Sequence, residues 1–175
     1  MGNRPILASS CAMAATAAEA RFRVDILPRS SWRSSVVVAL DPGASRVLQR
    51  VAEMSWYSAR FLTLDGTGEA DPGEADRGEA IDIRLRALDG RITRLAAELE
   101  DADLVVMLAT DDSGALASAA IGMAAALRSV MTAGLVLDGG RATTPVVSAL
   151  RPYARVLLVT RDEQDVTEVL QALRA

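Results

Sequence analysis

Short apolar runs alternate along this chain with stretches whose apolar residues recur at helical spacing, and that alternation limits the folds available to it. The runs are 36–40 (VVVAL), 61–64 (FLTL), 104–108 (LVVML), 135–137 (LVL) and 156–159 (VLLV). Each is long enough for a strand and too short for an average helix. Runs that are apolar throughout suit a parallel sheet covered on both faces. By contrast, 81–86 (IDIRLR) alternates strictly, as an edge or half-exposed strand does.

Between these runs lie the helical stretches. Val47, Leu48 and Val51 mark one face, ending near Trp56. Ile92, Leu95, Ala96 and Leu99 fall at i, i+3, i+4 and i+7 behind a capping Asp89. A long helix is expected from Ala115 to about Met131; it is apolar nearly all round and so is expected to be centrally buried. Thr144-Pro145 is a favourable helix start, and Asp162 can cap a helix that carries Val166, Val169, Leu170 and Leu173. Strand and helix taking turns predict an α/β fold with three layers: a doubly wound, mostly parallel sheet of about six strands, Rossmann-like. The expected strand order is 3-2-1-4-5-6, with the alternating third strand at one edge.

The length of 175 residues suits a single domain. We place that domain at 32–175, preceded by an Ala-rich N-terminal arm over 1–31. Ala8-Ser9-Ser10-Cys11 faintly resembles a lipobox, but Ala8 stands where a large aliphatic residue belongs, so an arm is favoured over a signal. The repeat GEADPGEADRGEA at 68–80 is polar, acidic and glycine-rich, which predicts a mobile surface loop over 66–80.

Composition excludes more chemistry than the motifs suggest. All 19 basic residues are arginine, and there is no histidine. A lysine-bearing phosphate loop, a Schiff base, a Ser-His-Asp triad and an imidazole-ligated zinc are therefore absent. The net charge of −4 gives no basic footprint for nucleic acid or an anionic membrane. No apolar stretch reaches the length of a membrane span. With one cysteine, no intrachain disulfide can form, and a soluble, cytoplasmic protein is expected.

In a doubly wound sheet, ligands bind beyond the carboxyl ends of the strands where the winding reverses. Here that point lies between the 36–40 and 104–108 strands. The polar residues expected at this edge are Asp41, Gly43 and Ser45, Asp65, then Thr110, Asp111, Asp112, Ser113 and Gly114, then Asp138, Gly139 and Gly140, with Arg161 and Asp162 after the last strand. Helix N-termini here could hold the phosphates of a nucleotide, and Asp41, Asp111 and Asp112 could hold Mg²⁺. The same residue types are also ordinary strand ends and helix caps. The dinucleotide fingerprint is poorly matched, since 41–46 (DPGASR) has one glycine of three; Asp65 stands where a ribose-binding acid would.

One further pattern runs from Ile92 to Asp138. A helix leads through Ala102-Asp103 to the apolar strand, then to the Thr110–Gly114 loop, a small-residue helix, and a strand over 132–137; the tail 150–159 (LRPYARVLLV) follows. This arrangement resembles the nucleotide-binding domain of the tubulin/FtsZ family over about 36–161. The resemblance implies a nucleotide fold with the phosphate-cradling loop at 111–118. That loop is glycine-rich in the family, whereas here it reads DDSGALAS, with a single glycine. The family's second domain has no room here, and a generic Rossmann-like domain accounts for the same pattern.

Two functional expectations follow. The first is a non-catalytic or weakly ligand-binding module, an accessory or regulatory partner of another protein or a homo-oligomer. The second is a nucleotide- or phosphate-ligand-binding enzyme that uses the Asp-rich edge, with or without Mg²⁺. A cofactor-bearing oxidoreductase, supported only by Asp65 and Gly43, ranks third.

Overall fold

The computed structural model describes residues 34–66, 83–139 and 144–173. All of these belong to the unit that begins at Trp32. The expected N-terminal arm, the acidic repeat and Gly140 lie outside the described residues.

Among the described residues seven strands form one sheet: β1 (Ser35–Ala39), β2 (Ala59–Leu64), β3 (Arg84–Ala87), β4 (Ile92–Arg94), β5 (Leu104–Ala109), β6 (Met131–Leu137) and β7 (Val156–Thr160). Their spatial order is β4-β3-β2-β1-β5-β6-β7. The β2-β1-β5-β6-β7 stretch is parallel throughout, while β3 and β4 join as antiparallel strands. Five helices accompany them among the described residues: α1 (Pro42–Ala52), α2 (Leu95–Glu100), α3 (Ala115–Leu127), α4 (Thr144–Leu150) and α5 (Glu163–Ala172).

Because successive side chains of a strand point to opposite faces, β1 feeds two separate cores. Val36 and Val38 pack with Leu95 and Leu99 of α2, Ile121 of α3, and Val146 and Leu150 of α4. Val37 and Ala39 pack with Val47, Leu48 and Val51 of α1 and with Val166 and Leu170 of α5. The sheet therefore lies between two helical layers, an architecture consistent with a Rossmann-like α/β fold. β1 and β5 are fully buried, as their uninterrupted apolar runs require.

Several expectations need correction. The alternating strand is not the edge: Leu85 is buried between exposed Arg84 and Arg86, but β4 lies outside it. Asp89 does not cap a helix. Asp89-Gly90 turns the β3–β4 hairpin, with the Asp89 carboxylate accepting from Arg91 N–H at 2.9 Å and Gly90 at φ +89. Ile92 is thereby drawn into a strand, and its helix starts only at Leu95. α1 ends at Ala52, short of Trp56, whose indole N–H donates to the terminal carbonyl of Val51 at 2.8 Å.

The long helix also ends early, at Leu127. Ser129 turns left-handed (φ 58), its N–H donates to Ala126 O, and Val130 N–H reaches Ala125 O at 3.0 Å. These bonds form a Schellman stop with serine in the usual glycine place. Nor is α3 buried all round: Ala117, Ser118, Ile121, Gly122 and Ala125 face inward, while Leu116, Met123 and Leu127 are exposed.

Candidate functional site

The winding reverses between β1 and β5, which pair in parallel from Ser35↔Leu104 to Ala39↔Leu108. Two loops leave their carboxyl ends side by side, one opening α1 and the other leading to α3. The chain reaches this edge through fully buried strands, so the residues that follow are held on rigid supports.

Asp41 joins the two loops. As N-cap of α1 its Oδ1 accepts from Ala44 N–H at 2.7 Å. The same carboxylate accepts from Thr110 N–H and from the Thr110 hydroxyl, each at 2.6 Å, and from Asp111 N–H at 3.2 Å. Asp41 is only 5% exposed, so its charge depends on these donors and on the positive end of α1. The backbone carbonyl of Asp41 also accepts from the Ser45 hydroxyl at 3.0 Å.

Two glycines permit the approach. A Cβ on Gly43 would stand 2.0 Å from Thr110 Oγ1, and a Cβ on Gly114 would stand 2.7 Å from the carbonyl oxygen of Leu40. Both glycines are thus occupied in loop-to-loop packing across the reversal point.

The neighbouring acids are engaged as well. Asp111 Oδ1 accepts from Ser113 N–H at 2.9 Å and from the Ser113 hydroxyl at 2.5 Å. Asp112 Oδ1 accepts from Val146 N–H at 3.1 Å, which ties the loop to the first turn of α4. The structure therefore gathers Asp41, Gly43, Ser45, Thr110, Asp111, Asp112, Ser113 and Gly114. Among the described residues, no group of three His, Cys, Asp or Glu side chains is placed to hold a metal ion.

The remaining candidates stand apart along the same edge. Asp65, after β2, accepts from Arg86 Nε at 3.1 Å and pairs with its terminal nitrogen. Asp138, after β6, lies 3.9 Å from Arg161 Nε, and Gly139 follows it in open space. Asp162 caps α5 as expected, accepting from Gln164 N–H at 2.9 Å.

Sequence reasoning missed one buried acid, at the opposite edge of the sheet. The Glu98 side chain is 5% exposed and lies 3.4 Å from Arg60 Nε and 3.6 Å from Arg91. The first pair is close but not aligned: among the described residues Arg60 Nε and Glu98 Oε2 have no hydrogen-bond partner, while another Arg60 nitrogen donates to Glu98 O at 2.9 Å. The signal was positional, since Glu98 lies between Leu95 and Leu99 on the inward stripe of α2.

No family model, no curated protein and no solved structure matches this chain. Among the described residues, no helix is long and apolar enough to cross a membrane.

Proposed function

We propose that this Rossmann-like domain is a non-catalytic module that works through protein contacts, as an accessory or regulatory partner, and that it does not process a nucleotide. The single observation that carries this reading is the Asp41 carboxylate. At the reversal point it takes the Ala44, Thr110 and Asp111 N–H groups that an anionic ligand would need. A phosphate arriving there would meet the negative charges of Asp41, Asp111 and Asp112 with no lysine to offset them.

The tubulin/FtsZ resemblance supports the same reading. Where that family carries its glycine-rich phosphate loop, this chain has one glycine, Gly114, and it backs onto Leu40. A cytoplasmic setting fits the single cysteine.

Native mass spectrometry of the purified protein tests the proposal. The expected result is the polypeptide mass alone, in one or more copies. Additional mass that matches a nucleotide and departs on denaturation would overturn it in favour of a ligand-binding enzyme at the Asp41–Asp111 edge.

A further inference from the structure

We propose that the outward face of α3 is a homodimer interface, packed antiparallel against α3 of a second copy. This inference rests on the reading above, that the domain works through its surfaces, and it names the surface and the partner.

The face is anomalous within its own molecule. α1 turns Arg46, Gln49 and Arg50 to solvent, and α5 turns out Gln164, Glu168 and Gln171. From Ala115 to Leu127, α3 has no charged residue at all. Its outward ridge carries Leu116 at 86% exposed, Met123 at 53% and Leu127 at 77%. Leu116, the half-buried Ala120, Met123 and Leu127 are spaced four, three and four apart, which keeps them along one narrow stripe of the helix. This is the spacing of a seam between two packed helices. Water is a poor neighbour for such a stripe, and an isolated α3 ridge would be a contiguous apolar patch.

Two features make the occupant a second copy in antiparallel orientation. The first is size. About a midpoint between Ile121 and Gly122, Leu116 meets Leu127 of the other copy, and Met123 meets the small Ala120, a large-on-small contact that the two-fold repeats. The second is charge. Asp111 and Asp112 precede α3 and Arg128 follows it; among the described residues the Arg128 guanidinium makes no ion pair and donates to Ala124 O at 3.3 Å. Antiparallel packing brings each Arg128 to within an arginine's reach of the other copy's acidic loop and opposes the two helix dipoles. Parallel packing would set Arg128 beside Arg128. The symmetric, self-complementary pairing is the kind that closes as a two-fold dimer.

The test is sedimentation equilibrium of the full chain, joined to cysteine cross-linking in a Cys11→Ser background. The wild type is expected to run at twice its 18.5 kDa. Leu116→Glu and Leu127→Glu, both at exposed positions, are expected to raise the dimer dissociation constant by about 100-fold or more with an unchanged circular dichroism spectrum. Leu116→Cys or Leu127→Cys alone is expected not to cross-link, whereas the double variant does, because only 116-to-127 pairs meet. A monomeric wild type, a dimer indifferent to both glutamates, or cross-linking by the single variants would overturn the proposal. A monomer free of bound nucleotide would remove this interface and leave the non-catalytic reading standing, since native mass tests that reading separately.

Discussion

Thr110 gives the Asp41 carboxylate both its backbone N–H and its hydroxyl, each at 2.6 Å, across 69 residues of sequence. The pair fastens the loop after β1 to the loop after β5, at the place where a doubly wound sheet opens for a ligand. Replacing Asp41 by Ala removes a helix cap and leaves buried N–H groups without an acceptor. The expected loss is about 2–4 kcal/mol of stability by urea denaturation. Thr110→Val keeps the N–H and should cost about 1 kcal/mol. In the double variant the two losses should fall short of their sum, because both act on one hydrogen-bonded unit.

Gly43 tests the same contact through space. Its missing Cβ would stand 2.0 Å from Thr110 Oγ1, so Gly43→Ala should push Thr110 off Asp41 and destabilise by about 1–3 kcal/mol. Adding Thr110→Ala removes the obstructing oxygen. That second change should cost less in the Gly43→Ala background than in the wild type, a difference read from the two denaturation midpoints.

Ser129 offers a gain. Its left-handed φ of 58 at the end of α3 is strained for any residue with a Cβ. Ser129→Gly should raise stability by about 1 kcal/mol, seen as a higher melting temperature. An unchanged or lower value would contradict the Schellman geometry.

The pH response should include one identifiable contribution. Glu163 of α5 accepts two hydrogen bonds from Arg50 of α1, at 2.7 and 2.6 Å, and these hold its carboxyl below the ordinary value of 4.5. A carboxylate whose pKa is lower in the folded state contributes stability above its unfolded pKa and loses it as pH falls through the folded one. Acid titration of wild type against Glu163→Gln should therefore show curves that differ near neutrality and converge at and below the depressed value. The pair is exposed, so the difference should be small and should shrink in high salt.

The parts of the fold legible in sequence were those that depend on local pattern. The uninterrupted apolar runs at 36–40 and 104–108 became buried β1 and β5, and their neighbours took the expected order around them. Asp162 was legible as a cap because it acts two residues away on its own helix. The β3–β4 hairpin was missed because Ile92, Leu95, Ala96 and Leu99 keep helical spacing whatever precedes them; the Asp89-Gly90 turn outweighed that periodicity. The end of α3 was missed because serine occupies a place where glycine is the usual signal.

At the candidate site, the residue types were legible and their tasks were not. Asp41, Gly43, Thr110 and Gly114 do meet, but a ligand cradle and a loop clasp draw on the same residues. The hydrogen bond from Thr110 N–H to Asp41, 69 residues away, supports the clasp.

The proposal that this reversal point takes no nucleotide is tested most directly by following the amide resonances of Ala44, Thr110 and Asp111 while GTP, ATP or NAD is added, with and without Mg²⁺. Because these three N–H groups already donate to Asp41, the account predicts that they do not move. Saturable shifts at these three amides would show that a ligand displaces the carboxylate, and would contradict it.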